Sequence, residues 1–582
     1  MNALIDTLLR AALATLAHDA SYASLAGMNP QLERTRDARH GDFTTNVAMR
    51  AAKTFGRPPR DVAAAIVAAI APSPLVERID IAGPGFINFT LTPSAYQGEL
   101  CAALQRAADY GSSESGKGTR VLVEFLSANP TGPLHVGHGR HAALGACLAN
   151  LLRATGHTVD TEYYVNDAGR QMDILALSVW LRYLQAHGLD FDFPANCYQA
   201  DYCRDIASVI AAEQGDSLGG NRDALLELLG TSDEDAEATL DALITFARGQ
   251  LGEAGFAVFF DAAIDSILDD IRTDLAEFGV TYDRWYSERS LVGSGAIENA
   301  ISALRDKNVL YERDGATWFR TTDFGDDKDR VVVRENGATT YFASDIAYHK
   351  EKFERGYDVL INVFGSDHHG YVARLRAAMA GLGKPADSLE MRLVQFVVLF
   401  RGKEKVQMTT RGGKYVTLRD LRAEVGNDAA RFFYVSRSND QHLDFDLELA
   451  TSQSNDNPVY YVQYAHARIA SLLRRLQDSG IESPEPTMDK VAPLTHRSEL
   501  ALMRAISRFP EAVQLGADNR APQAVVHYLR ELAAEFHSFY NDLRIIDAEE
   551  RERDARTLLA AATAQVLANG LKLLGVSAPE SM

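Results

Sequence analysis

The chain has 582 residues, of which 46% are hydrophobic and 24% charged, and a formal net charge of −20. That length and hydrophobic content predict about four domains' worth of folded core, and the acidic balance argues against a protein that coats nucleic acid non-specifically, although local basic patches can still hold RNA. The cysteines, Cys101, Cys147, Cys197 and Cys203, form no C-x-x-C pair and no zinc-like Cys/His spacing. The first predicted helix, Leu4 to Leu16, is interrupted by Asp6 and Arg10, and no later apolar run reaches membrane length. A reduced, zinc-free cytoplasmic protein that does not engage a membrane is expected.

Residues 1–110 read as a small α+β domain. Arg34, Arg36, Arg39, Arg50, Lys53, Arg57 and Arg60 face only Asp37 and Asp42, which suits either a solvated helix face or contact with phosphates. Strand-like runs follow at Val76 to Ile81 and Phe86 to Leu91, and Gly111 to Thr119, rich in Gly and Ser, reads as a flexible linker.

From Val121 the pattern changes. Val121 to Phe125 is short and β-branched, as a strand buried on both faces should be. From His138 apolar residues take helical spacing, with Leu144, Leu148, Leu151 and Leu152 on one stripe and Gly156 ending the helix, and Thr158 to Val165 returns as a strand. This is a βαβ unit, whose ligands sit at the carboxyl ends of the strands over the helix start. His135, Val136, Gly137 and His138 occupy that place. Neutral imidazoles and backbone N–H groups at a positive helix end suit a polyphosphate, and Gly137 permits close approach.

Asn166 to Asp173 opens a second helix, and an acidic helical stretch from Phe191 to about Gly279, with Ser232 and Asp235 as a capping box, reads as an insertion. Asn336-Gly337 is a hairpin signal that delivers Tyr341. Tyr341 and Asp345 lie one turn apart and can face one ligand, with an N-cap role for Ser344 or Asp345 as the alternative. Val359 to Phe364 reads as a buried strand ending in Gly365, Ser366 and Asp367, where ribose hydroxyls are usually held. His368 and His369 diverge and have no evident third ligand, so no metal site is expected. A glycine-bearing basic loop, RGKEKVQMTTRGGKYVTLRDL from Arg401 to Leu421, suits phosphate chemistry. Beyond Ser452 the chain reads as all-helical. In DNPVYYVQYAHARI, Tyr460, Tyr461 and Tyr464 could stack bases and Arg468, Arg474 and Arg475 could hold phosphates, with at least one tyrosine expected inside the core.

Ala128 to His138 resembles the HIGH signature of class I aminoacyl-tRNA synthetases, and EFLSANPTGPLHVGH is worded as in the arginyl-tRNA synthetase family. The resemblance covers nearly the whole chain. It implies an α/β, Rossmann-type catalytic domain with insertions (119–450, insertions at about 190–280 and 287–340), a small N-terminal α+β domain that binds tRNA (1–110), and a C-terminal α-helical bundle that binds the anticodon (452–582). The implied reaction activates L-arginine with ATP and Mg²⁺ and transfers it to the 2′-hydroxyl of the terminal adenosine of tRNA(Arg), in a chain expected to be monomeric.

By the same resemblance, His135 and His138 face the ATP phosphates, and Gly137, Gly365, Asp367 and Met408 contribute to ATP binding. Glu124, Asn129, Tyr341, Asp345 and His368 bind arginine, with Asp345 the bidentate partner of the guanidinium. Phe86 and Asn88 in GPGFINF, with Tyr460 and Arg468, touch tRNA. The basic loop takes the place of the KMSKS loop, but Thr410 stands where its second lysine is usual, and Gly132 stands where some arginyl enzymes carry a substitute. Arg411, with Lys405 as second candidate, is expected to supply the missing charge, whereas Lys414 and Arg419 anchor the loop. A cysteine-type synthetase would need zinc ligands, and an oxidoreductase would need G-x-G-x-x-G after Val123. A catalytically dead RNA-binding relative is the remaining alternative.

Overall fold

A computed structural model of the chain describes residues 1–35, 37–230, 236–385, 387–406 and 416–582. The Ser232/Asp235 capping box, Arg36, Met408, Arg411 and Lys414 lie outside the described residues.

The N-terminal part is an antiparallel sheet of β1 (Leu32–Arg34), β2 (Phe43–Thr45), β3 (Val76–Ala82) and β4 (Phe86–Leu91) in the order β1-β2-β4-β3, backed by helices Asn2–Ala17, Val47–Phe55 and Pro59–Ala69. Two-residue alternation sorts β4: Ile87, Phe89 and Leu91 enter the core while Phe86, Asn88 and Thr90 take the other face.

The central part is a parallel sheet of β5 (Arg120–Phe125), β6 (Thr158–Val165), β7 (Arg284–Ser287), β11 (Val359–Gly365) and β12 (Leu389–Val394), in the order β12-β11-β5-β6-β7. The chain runs outward from β5 through β6 to β7, then returns to β11 on the other side. The strand order therefore reverses between β5 and β11, which is where an open parallel sheet leaves a crevice for ligands. Helix Val136–Ala154 follows β5. Between β6 and β7 lie helices Arg170–Ala186, Asp201–Gln214, Arg222–Gly230 and Ala236–Glu277, the last broken at Gly252 (φ +64°). Between β7 and β11 a small antiparallel sheet, β8 (Leu310–Arg313), β9 (Ala316–Phe319) and β10 (Arg330–Val333), precedes helix Tyr341–Glu354. The Asn336-Gly337 turn forms, but its second strand shrinks to one bridge, Val333 to Thr339, because the Thr340 side chain caps a helix that already begins at Tyr341.

Helices Pro458–Asp478, Arg497–Ile506, Phe509–Asp518, Gln523–Asp542 and Glu550–Leu574 form the C-terminal bundle. Glu550–Leu574 does reach membrane length, with a mean hydropathy of 1.3, contrary to the expectation from sequence; 67% of its apolar window is buried, as in a core helix. Tyr460, Tyr461 and Tyr464 are all half-buried, so the expected core tyrosine is absent from this set. Val459, Val462, Ala465 and Ile469 take the inward stripe instead.

Gly111 to Thr119 is not a loose tether. Ser113 and Ser115 donate to Gln514 at 2.8 and 3.0 Å, and the Ser113 N–H donates to the Ala154 carbonyl at 2.9 Å. Nearby, Arg34 makes a bidentate pair with Glu511 (2.5 and 3.0 Å) and Arg504 pairs with Asp42 at 3.3 Å, so the N-terminal sheet sits directly on the helical bundle. A Cβ at Gly111 (φ +101°) would lie 2.3 Å from the buried Phe509 ring. Gly111→Ala should therefore cost about 2–4 kcal/mol, read as a fall of several degrees in the unfolding midpoint. A parental midpoint would contradict this packing.

Candidate active site

Just past β5 the backbone is strained: Leu126 (φ +71°) and Ser127 (φ +45°) are consecutive left-handed residues, neither of them glycine. The turn aims the Ser127 hydroxyl back at Glu124 (3.4 Å) while it accepts the Tyr164 N–H (3.1 Å), tying β5 to β6 at their carboxyl ends. The chain then reaches His135, the N-cap of helix Val136–Ala154. Its Nδ1 accepts the N–H groups of Gly137 (3.1 Å) and His138 (3.3 Å), and His138 Nδ1 accepts the N–H of His135 (3.3 Å).

The two imidazoles stack with centroids 3.5 Å apart and planes at 18°. Acceptance at Nδ1 requires neutral rings with the proton on Nε2. Burial works in the same direction, holding His135 below and His138 well below the usual histidine range. The sequence pattern alone assigns backbone N–H groups to the phosphates. Two of these are instead occupied by His135, so the helix start offers imidazole Nε2–H donors. A Cβ on Gly137 would lie 2.9 Å from the His135 ring, so here glycine makes room for the cap.

One described end of the basic loop is bonded to this turn, and the other leaves from a short strand pair. On one side, β13 (Val397–Arg401) pairs with β14 (Glu404–Lys405), leaving Lys405 exposed at the start of the loop. On the other, the Val136 N–H donates to the Val416 carbonyl (3.2 Å) and the Leu418 N–H to that of Leu134 (2.8 Å). Arg419 is bound to Asp270 at 2.7 Å, an anchoring contact.

Across the crevice lies an acidic pocket. Glu124, at the end of β5, is buried and ion-paired with the fully buried Lys352, which also donates to Asn362 at 3.3 Å. Asn362 donates to His349 Nε2 (2.7 Å), and His349 Nδ1–H donates to the Asp345 carbonyl (2.8 Å). The Asp345 carboxylate makes no hydrogen bond or ion pair among the described residues. Burial, then the charges of Glu288 and Glu124, push it up to about 7. Glu288, just past β7, is raised to about 7 as well, chiefly by burial.

Tyr341 is 67% exposed on the rim, its hydroxyl 3.6 Å from where a Cβ on Gly169 would stand. Asn129 is held by Gln171 (3.1 Å) and lies beside Asn166 (3.1 Å). Glu288 and Lys352 are absent from the residues that the sequence nominates. A carboxylate just past a parallel strand, the rule applied to Asp367, would have found Glu288. Lys352 lies two helical turns beyond Asp345 and so on the same face.

At the end of β11, a Cβ on Gly365 would lie 2.3 Å from Asp367 Oδ1, so glycine lets that carboxylate fold over the strand end. His368 stands beside Asp367 at 3.8 Å and against the Phe364 and Tyr371 rings. Among the described residues no group of three or more His, Cys, Asp or Glu could hold a metal ion. Away from the crevice, Phe86 is exposed on the open face of the N-terminal sheet, whereas Asn88 is buried and accepts the Thr44 hydroxyl at 2.7 Å. Tyr460 stacks on Tyr464 (5.9 Å, 6°), and Arg468 lies over the Tyr540 ring at 4.1 Å.

Three family profiles divide the chain: the arginyl tRNA synthetase N-terminal domain matches residues 3–91, the class I (R) tRNA synthetase catalytic domain 99–446, and the DALR anticodon binding domain 462–582. The arginine–tRNA ligase of Thioalkalivibrio sulfidiphilus is 52% identical over 582 residues, covering 99% of each chain. The chain belongs to the arginyl-tRNA synthetase family. The arginine–tRNA ligase of Legionella pneumophila (strain Philadelphia 1) is 49% identical over the full length of both proteins. The Thermus thermophilus arginyl-tRNA synthetase shares the fold over the whole of both chains, with a TM-score of 0.75 at 24% identity. As a class I synthetase the enzyme uses ATP as a substrate, and its reaction is the charging of tRNA(Arg) with arginine.

Gly137→Ala should push the His135 ring off its cap. It is expected to cost about 1 kcal/mol of stability and to lower arginine-dependent exchange of pyrophosphate into ATP disproportionately. Parental exchange would mean that the imidazole cap does not orient the phosphate donors.

Proposed function

We propose that the crevice divides the activation step between its two walls. His135 and His138 donate Nε2–H to ATP phosphate oxygens, Gly365 and Asp367 take the ribose end, and the acidic pocket takes arginine. The arginine carboxylate oxygen then bonds to the α-phosphorus as the bond to the bridging oxygen breaks and pyrophosphate leaves. Positioning and charge stabilisation suffice, because the nucleophile is already an anion. The adenylate's acyl group passes next to the 2′-hydroxyl of the terminal adenosine, releasing AMP. Magnesium enters with the polyphosphate and adds countercharge when bound. Lys405, and Arg411 within the loop, neutralise the departing pyrophosphate where Thr410 cannot.

One observation carries the arginine assignment: Asp345 is largely buried, lies within the field of two further carboxylates, and, although Arg374 and Lys352 act on it at longer range, is ion-paired with no cation among the described residues. A guanidinium, permanently charged and fork-shaped, satisfies such a pocket. Glu288 joins Asp345 in holding it, while Glu124, Asn129, Tyr341 and His368 line the path to the amino-acid backbone. Phe86, exposed on the N-terminal sheet, contacts tRNA with Tyr460 and Arg468 on the bundle, while the buried Asn88 supports that face through its bond to Thr44, in keeping with N-terminal, catalytic and anticodon-binding parts at 1–110, 119–450 and 452–582. The resemblance to the family favours a working monomer, and its substrates fit a cytoplasmic setting.

Because the pocket must be anionic to hold a guanidinium, the KM for arginine should rise as pH falls through about 7, and binding near that pH should release protons. Asp345→Asn should raise the arginine KM by roughly two orders of magnitude or more, the cost of an unmatched buried charge pair, with the ATP KM unchanged. An arginine KM that is flat from pH 6 to 8 and unmoved by Asp345→Asn would reject the assignment.

Of the basic N-terminal residues, Arg34 and Arg39 are already paired with Glu511 and Asp37. Arg50 is half-buried and donates to the Asn29 carbonyl at 2.8 Å, which leaves the exposed Lys53, Arg57 and Arg60, none of them paired with a carboxylate among the described residues, for tRNA. Replacing these three with alanine should flatten the salt dependence of tRNA binding by roughly 0.7–0.9 in log–log slope for each phosphate no longer neutralised. An unchanged slope would make them a solvated face only.

A further inference from the structure

The helix that carries His135 and His138 holds a third histidine on the same face, His141, one turn deeper. Both of its ring nitrogens are shielded from solvent, and neither has a hydrogen-bond partner among the described residues. Its neighbours on the helix are turned to other partners. Arg140 spends its guanidinium on the carbonyls of Gln395 and Gln441 (2.8 Å each) and Ser438 (2.9 Å), while His135 and His138 are engaged in each other's cap. Burial, reinforced by His135 and Arg140, lowers the His141 pKa to about 4, so the ring is neutral and offers one donor and one acceptor.

A polar group left unpaired away from water is costly and calls for a partner. The direction of the ring says where that partner comes from. His141 Nε2 lies 3.9 Å from the place a Cβ on Gly365 would take, at the strand end where Asp367 Oδ1 also sits. It senses the charges of both Asp367 and His135. His141 thus stands beneath the crevice, between the proposed ribose and phosphate subsites.

We propose that His141 is a nucleotide-binding residue whose Nε2–H is uncovered when the nucleotide seats, the exposed Asp367 side chain beside it giving way, and then donates to a ribose hydroxyl of ATP. This rests on the reading that Gly365 and Asp367 hold the ribose. Asp367 can only accept, so a ribose held there by its hydroxyl protons still presents oxygen lone pairs, and a neutral imidazole is a fitting donor for one of them. The contact adds nothing to arginine selection and is specific to nucleotides that carry the hydroxyl.

The test is steady-state pyrophosphate exchange by the full-length enzyme and its variants His141→Ala, His141→Asn, His141→Gln and Asp367→Asn. One neutral hydrogen bond predicts a roughly three- to tenfold rise in the ATP KM for His141→Ala and His141→Asn, with the arginine KM unchanged. His141→Gln should recover most of the loss, since its amide nitrogen reaches the place of Nε2, whereas that of asparagine overlays Nδ1. With 2′-deoxy-ATP or 3′-deoxy-ATP, whichever lacks the contacted hydroxyl, parental enzyme and His141→Ala should become equal. The proposal is overturned if His141→Ala leaves the ATP KM unchanged while Asp367→Asn raises it. An unchanged ATP KM in both variants overturns the ribose reading itself. A rise in both KM values, no rescue by glutamine, or an equal loss with all three nucleotides would make His141 a structural support of the helix instead.

Discussion

Three carboxylates meet one buried ammonium at the carboxyl edge of the central sheet, with the Arg374 guanidinium acting on Asp345 only at longer range, and this imbalance of charge governs the site. Lys352 is fully buried and committed to Glu124, and its remaining contacts, Asn362 and the Tyr348 ring at 4.1 Å, are satisfied within the same network. Asp345 and Glu288 are left to share a poorly hydrated space, and both hold protons far above the ordinary carboxylate range. A pocket of that kind stores unfavourable energy that a bound cation releases. Neutral side chains cannot do so, so a pocket of this kind favours a cationic ligand over an uncharged one.

The opposite wall depends on how one helix is held at both ends. At its start the helix consumes two of its own N–H groups in an imidazole cap, so its first turn presents histidines rather than bare amides. Further along, Cys147 and Asn150 reach the carbonyls of Leu574 and Leu573 (3.2 Å each) at the end of the last helix of the bundle. Arg431, itself buried, donates to the Leu574 carbonyl at 3.1 Å and to those of Phe278 and Gly279 at 2.9 and 3.2 Å. These carbonyls are the unpaired ends of helices. The catalytic sheet, the inserted helices and the bundle are thereby stitched through backbone groups that would otherwise be buried without partners.

Much of this was legible in the chain. The run from β5 through His138 to β6 announces a strand, a turn and a helix by spacing alone, because periods of 2 and 3.6 residues and a terminating glycine act locally. The resemblance of EFLSANPTGPLHVGH to one family then named candidates on both walls. Local signals failed where a distant segment decided the outcome. Gly111 to Thr119 has a linker's composition but is packed by Phe509 and Gln514, about 400 positions away. The three tyrosines after Asn457 sit at helical spacing, yet smaller residues took the inward stripe where the last helix approaches.

By itself the sequence determined the elements, their order, the family and most residues that line the crevice, since each of these rests on neighbours within one or two turns or on a contiguous motif. Only the tertiary structure decided how those residues are charged and what they are free to bind. Lys352 claims Glu124 across 228 positions, Glu288 joins Asp345 only when β7 is laid beside β6, and His141 turns toward Gly365 only when β11 is laid beside β5. Protonation and hydrogen-bond satisfaction depend on burial and on groups brought together through space, and neither quantity is written in any local stretch of the chain.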